Sequence, residues 1–180
     1  MISFVPLTNS HFTLLLKWLK TAHVKTWWDT DKKWDIELIK EKYEPYVKRY
    51  KCLKLKDKII KKPIYAFIIY NDNQPIGYIQ YYNKYDFPLE QEYDISGLPN
   101  SCAGLDWYIG ELSLINKGMG SQALALFIEQ FVFKNFSNIL LDPDTTNLQA
   151  IRVYEKIGFI VIKKVNNGQV TLMLKARKNL

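Results

Sequence analysis

Asp142-Pro-Asp-Thr-Thr-Asn147-Leu-Gln-Ala-Ile-Arg-Val-Tyr154-Glu-Lys-Ile-Gly158-Phe159 reads, within eighteen residues, as a strand end, a turn, a capped helix, a glycine stop and a new strand. Pro143 and the Thr145-Thr146 pair end the strand, Asn147 is a good helix N-cap, and Gly158 sits where a left-handed residue closes a helix. Ala150, Val153, Tyr154 and Ile157 fall at i, i+3, i+4 and i+7, one face of that helix. Taken alone, the spacing makes Tyr154 a core residue with a partnered hydroxyl.

Working outward, Asn138 to Leu141 precede this segment as a strand and Phe159 to Lys163 follow it. The turn Asn166-Asn-Gly168 returns a last strand, Val170 to Leu174, antiparallel. Upstream, Gly118-Met-Gly120 opens a helix with Leu124, Phe127, Ile128, Phe131 and Val132 at helical spacing. Before it, Ala103 to Leu114 reads as a strand in which Leu105, Trp107 and Ile109 alternate with Asp106, Tyr108 and Gly110, so Asp106 shares a face with Tyr108. Ile64 to Tyr70 and Ile76 to Tyr82 are β-prone around Asn71-Asp-Asn-Gln74 and predict a hairpin. The chain opens with a strand, Ile2 to Val5, and a helix capped by Thr8 or Asn9 with Phe12, Leu15, Leu16 and Leu19 on one face. A second helix is expected over Ile36 to Tyr50, kinked or split at Pro45. Trp27 and Trp28, beside Asp29 and Asp31, are either a pocket wall or buried packing.

A chain of 180 residues with 48% apolar and 14% aromatic residues has the size and composition of one globular domain, 1–180, which buries roughly 70% of its unfolded surface. No repeat or low-complexity linker divides it. The N-terminus lacks the pattern of a signal peptide, and the longest apolar run, Ile64 to Tyr70, is far too short to span a membrane. Cys52 and Cys102 stand apart from any Cys or His partner, which fits a reducing, cytoplasmic compartment and predicts no metal site.

The net charge of +7 raises nucleic acid as a partner, but its distribution argues otherwise. Sixteen of the 25 basic residues lie in residues 1–84, and the run from Lys51 to Lys62 reads as a solvated connector. Residues 85–116 carry no Lys or Arg yet hold Asp86, Glu90, Glu92, Asp94, Asp106 and Glu111. Such an island repels phosphate and attracts amines, which favours a cationic small molecule over nucleic acid or a membrane.

Leu114-Ile-Asn-Lys-Gly118-Met-Gly120-Ser121 places two glycines at a strand-to-helix junction. Glycine allows backbone amides to approach an anion, and the helix N-terminus adds unpaired N–H groups, so a pyrophosphate suits the junction, as does a simple tight turn. The GK[ST] of a P-loop and the third glycine of a dinucleotide fold are both missing.

In order and spacing, the strand, the Lys117-Gly-Met-Gly120 helix, the next strand, and Asp142 to Phe159 resemble the GNAT N-acetyltransferases. Motifs carry the likeness over residues 103–165, and element order extends it to nearly the whole chain. Trp27-Trp28, Pro75-Ile-Gly-Tyr78, the acidic segment Glu90 to Asp94, and Gly104-Leu-Asp106 bring it nearest to the aminoglycoside 6'-N-acetyltransferases. The resemblance implies an α+β fold with a central, mostly antiparallel sheet of about seven strands flanked by helices. It also implies acetyl-CoA as co-substrate, held by Leu114, Asn116, Lys117, Gly118, Met119, Gly120, Ser121, Asn147 and Ala150. Ile115 stands where the family has Gln or Arg, which weakens one phosphate contact. By the same resemblance Asp106 is the substrate-side carboxylate and possible general base, and Tyr154 the acid near the coenzyme A sulfur. Trp27, Trp28, Tyr78, Glu92, Asp94, Asp106 and Asp142 would bind the substrate. The acceptor is then an aminoglycoside-like polycation; a polyamine, a siderophore precursor, a protein N-terminus, and a non-catalytic acyl-CoA-binding module remain as alternatives. The oligomer is expected to be a monomer or homodimer.

Overall fold

A computed structural model describes residues 1–55, 58–87 and 93–178. Among these residues are strands β1 (Ile2–Pro6), β2 (Tyr50–Leu55), β3 (Lys58–Asn71), β4 (Gln74–Asn83), β5 (Cys102–Ile109), β6 (Asn138–Leu141), β7 (Ile160–Val165) and β8 (Val170–Ala176). Hydrogen bonding runs β1-β3-β4-β5-β6-β8-β7, with β2 paired to β3 off that path. The helices are α1 (Phe12–Leu19), α2 (Ala22–Lys25), α3 (Ile36–Val47), α4 (Met119–Phe127) and α5 (Leu148–Lys156). Among the described residues, no helix is long and apolar enough to cross a membrane.

The chain divides into two compact units, and β4 and β5 each contribute to both. The first unit holds Met1–Gln80 and Trp107–Met119. In it β3 accepts β1 and β2 as antiparallel partners, with Ile2 opposite Asn71 and Tyr50 opposite Pro63. Helix α1 follows a 3-10 turn, Asn9–His11, that is closed by Thr8: the Thr8 amide donates to His11 Nδ1 at 3.1 Å. Phe12, Leu15, Trp18 and Leu19 of α1 are buried. The Trp18 indole N–H, which burial would otherwise orphan, donates to Glu111 Oε1 at 2.8 Å.

Three expectations need correction here. The lysine run is no connector: Lys51 and Lys54 lie on β2 and Lys58, Lys61 and Lys62 on β3, with Lys51 opposite Lys62 and Leu53 opposite Ile60, and the pair supplies the eighth strand. Proline does not split α3. Pro45 lies in the last turn of a helix that runs to Val47, and Tyr50 already belongs to β2. Strand β5 ends at Ile109, after which Leu112–Leu114 forms a 3-10 turn.

The second unit holds Tyr81–Asp106 and Gly120–Leu180. Strands β5 and β6 run parallel, with Cys102 opposite Asn138 and Gly104 opposite Leu140. Strand β8 pairs antiparallel with both β6 and β7. Asn166, Asn167 and Gly168 all take positive φ and turn β7 into β8 as the sequence indicates. Ala123, Leu124 and Phe127 of α4 are buried, and the helix continues as a π-helical stretch, Ile128–Val132.

Candidate functional site

The parallel β5/β6 register positions the acidic residues. Two residues beyond the Gly104–Leu140 pair, each strand carries an aspartate: Asp106 on β5 and Asp142 after β6. Both carboxylates act on one phenol, Tyr82 of β4. Desolvation first, then the charges of Asp106 and Asp142, raise Tyr82 well above its ordinary 10.0, so it stays protonated and donates to Asp106. Gly104 allows that approach. A Cβ built at Gly104 would lie 2.5 Å from Tyr82 Cε2 and 2.7 Å from Cζ, so only glycine admits the ring at that distance.

Asp142 has two further partners. Its Oδ2 accepts from the Tyr93 hydroxyl at 2.6 Å and from Lys84 Nζ at 3.1 Å. Lys84 sits in the short turn Lys84–Asp86 after β4 and is only 1% exposed, and its ammonium also lies 5.6 Å from the Tyr93 ring centre. Burial, followed by the Asp142 charge, drives the Tyr93 phenol far up, which makes it a permanent donor. Cys102, buried at the start of β5, has its thiol pushed up to about 11 by burial and is no thiolate at neutral pH.

Helix α5 forms as its local sequence dictates. Asn147 Oδ1 accepts from the Ala150 amide at 3.2 Å, and Gly158 takes φ +94° just past the helix end. Tyr154 is 9% exposed, its ring 5.9 Å from Phe159. The oxygen of Asn147 is therefore committed to the cap, and Ala150 takes part through its backbone.

The junction before α4 suits an anion. Asn116 and Gly118 are both left-handed, at φ +64° and +78°, and a Cβ at Gly118 would meet nothing within 4 Å. Both angles turn the backbone just ahead of the α4 N-terminus, where the helix dipole favours an anion. Lys117 is the only charged side chain from Leu112 to Ile128. This open, donor-rich turn with no carboxylate fits the pyrophosphate of acetyl-CoA, with Leu114, Lys117, Met119, Gly120 and Ser121 lining the same segment.

Within the first unit the aromatic residues form a second cluster. Trp28 meets Tyr108 edge-on at 4.9 Å and Tyr78 at 5.8 Å, while Trp27 is 48% exposed. Tyr78 is fully buried and its hydroxyl donates to Gln80 Oε1 at 2.6 Å. Lys42 Nζ lies 2.5 Å from Asp29 Oδ2, and 5.8, 5.3 and 5.4 Å from the Trp28, Trp34 and Tyr43 rings. Burial holds Lys42 below its ordinary 10.5 despite the attraction of Asp29. Among the described residues, the Trp34 indole N–H and the Tyr108 hydroxyl are buried without a hydrogen-bond partner.

The sequence-predicted residues divide accordingly. Asp106 and Asp142 are brought together, and Trp28 and Tyr78 pack against each other. Asp94 instead closes its own turn, accepting from the Ser96 amide and hydroxyl, each at 2.8 Å, which lowers its carboxyl below the ordinary 3.8. Glu92 lies outside the described residues. Tyr82, Lys84 and Tyr93 escaped the sequence reading because their partners are distant in the chain. The clue available for Tyr82 was Gly104, a glycine in mid-strand.

Known proteins resemble this chain in sequence and fold. The acetyltransferase (GNAT) domain family matches residues 8–167. Aminoglycoside N(6')-acetyltransferase type 1 of Klebsiella pneumoniae is 27% identical over 158 residues, spanning 85% of this chain and 71% of that protein. The crystal structure of aminoglycoside acetyltransferase AAC(6')-Ib with coenzyme A superposes at a TM-score of 0.77 and 26% identity, covering 98% of this chain and 95% of that one. A complex of AAC(6')-Ib with coenzyme A and kanamycin matches at the same TM-score, identity and coverage.

Proposed function

Because the chain belongs to the GNAT acetyltransferase family, we propose that it transfers acetyl from acetyl-CoA to a primary amine of an aminoglycoside. The observation that carries the amine acceptor is Asp106 on β5, held by the Tyr82 hydroxyl, with the Asp142 charge beside the same phenol. The named relatives, which act on aminoglycosides, and the AAC(6')-Ib complex with kanamycin support the same acceptor.

The chemistry sets what the residues must do. An aliphatic amine with a pKa of about 10.4 loses its proton at pH 7 at a cost of roughly 4.6 kcal/mol, so a base or a water relay is required. Asp106, held by the Tyr82 donor, takes that proton directly or through water and frees the lone pair for attack. Bound acetyl-CoA supplies an activated thioester, and the left-handed turn at Gly118 holds its pyrophosphate. Tyr154 donates to the departing sulfur as the C–S bond breaks. With the Cys102 thiol protonated, direct attack by the amine is preferred to an acyl-enzyme route.

Acetyl-CoA consumption with kanamycin or tobramycin tests the reading. Asp106→Asn should lower kcat by about 10²–10⁴-fold, and Tyr154→Phe should lower it with KM for the aminoglycoside little changed. Turnover with no member of an aminoglycoside panel would remove the acceptor.

A further inference from the structure

Asp142 follows β6 with its side chain 30% exposed, within reach of a ligand, yet its Oδ2 already receives an ammonium from inside the protein. Lys84 provides it. The lysine is almost wholly buried, it extends from the turn that ends β4, and two groups define its position: Asp142 Oδ2, itself held by the Tyr93 hydroxyl, and the Tyr93 ring. A buried ammonium keeps its charge only with such partners, so this is a built pair rather than a mobile surface contact. An amine arriving from solvent competes for the same oxygen with a cation that never leaves.

We propose that Lys84 is a specificity-determining residue: its ammonium stands at Asp142 where one ammonium of a polycationic acceptor would otherwise bind. The consequence is selective. The acceptor amine served by Asp106 is untouched, whereas the gain from each additional positive charge near Asp142 is reduced. Wild-type protein therefore discriminates little between acceptors that differ only in a second ammonium, and removal of the lysine charge restores the discrimination.

This rests on the aminoglycoside reading for its substrate but can be measured apart from it. Calorimetry with Lys84→Met, Lys84→Gln and Lys84→Arg would compare kanamycin, spermidine and the monoamine 6-amino-6-deoxyglucose, with coenzyme A affinity reporting that each variant is folded. Lys84→Met, or Lys84→Gln if the methionine variant does not fold, should bind kanamycin and spermidine about tenfold more tightly, the value of one charge-assisted hydrogen bond. The monoamine should be unchanged, and Lys84→Arg should match the wild type. Equal shifts for all three amines, no shift for the polycations, or loss of coenzyme A binding in both neutral variants would overturn the proposal. Absence of kanamycin acetylation by the wild type would overturn the acceptor instead, leaving the spermidine comparison to decide the role of Lys84.

Discussion

Asp106 on β5 and Asp142 just after β6 each stand two residues beyond the Gly104–Leu140 pair, but they are held by different groups. Asp106 accepts from the neutral phenol of Tyr82, whereas Asp142 neutralises a lysine that is 1% exposed. The difference shows in stability. Asp142→Asn leaves the Lys84 ammonium buried without its counter-charge, and loss of one partner of a buried pair costs about 3–5 kcal/mol. Its denaturant midpoint should fall accordingly, and Lys84→Met added to the same chain should recover most of the loss. An unchanged midpoint in Asp142→Asn would mean that Lys84 finds another partner. None of this was legible from Asp142 itself. The stretch 85–116 has no basic residue, and the cation that enters its electrostatics stands one position before it, at Lys84. Only the fold of the turn after β4 brings it to β6.

At the scale of elements, legibility followed locality. Helix α5 has its cap, its apolar face and its glycine stop within a dozen residues, and each of them forms where the sequence places it. The β2/β3 hairpin was missed because lysines at 51, 54, 58, 61 and 62 suppress the apolar signal. Cross-strand pairing with Cys52, Leu53 and Ile60 makes it a strand pair all the same. The glycine junction lies between these cases: its glycines were visible, but their purpose depends on backbone angles. Gly118 at φ +78° carries a specific expectation. Alanine there meets no neighbouring atom, so its penalty is conformational, about 1–3 kcal/mol for an L-residue in a sparsely populated region. If that turn cradles pyrophosphate, steady-state kinetics of Gly118→Ala should give a raised KM for acetyl-CoA, with kcat at saturation and KM for the acceptor nearly unchanged. A defect confined to the acceptor would move the cradle elsewhere.

For the molecule as a whole, the mostly antiparallel sheet is what the resemblance implied, whereas the parallel placement of β5 beside β6 is seen only in the fold. The strand count rose from about seven to eight because the lysine-rich hairpin pairs with β3. Global stability should carry the signature of Glu111 at low pH. Hydrogen bonds from Lys17, at 2.7 Å, and from Trp18 hold its carboxyl below the ordinary 4.5. The unfolded chain takes up the proton first, so this contribution is complete above pH 4.5 and is lost as pH falls through the lower folded value. Thermal unfolding of Glu111→Gln should show a lower midpoint at neutral pH and a flatter decline in acid than the wild type. A parallel decline in both proteins would assign the acid sensitivity to other carboxylates.

The most direct test of the central claim is mass spectrometry and NMR of kanamycin incubated with acetyl-CoA and the protein, alongside Asp106→Asn at matched concentration. Acetyl transfer to a single primary amine by the wild type, slowed about 10²–10⁴-fold in the variant, is the expected result. Coenzyme A binding with no acetylated aminoglycoside, or equal rates in the two proteins, would contradict it.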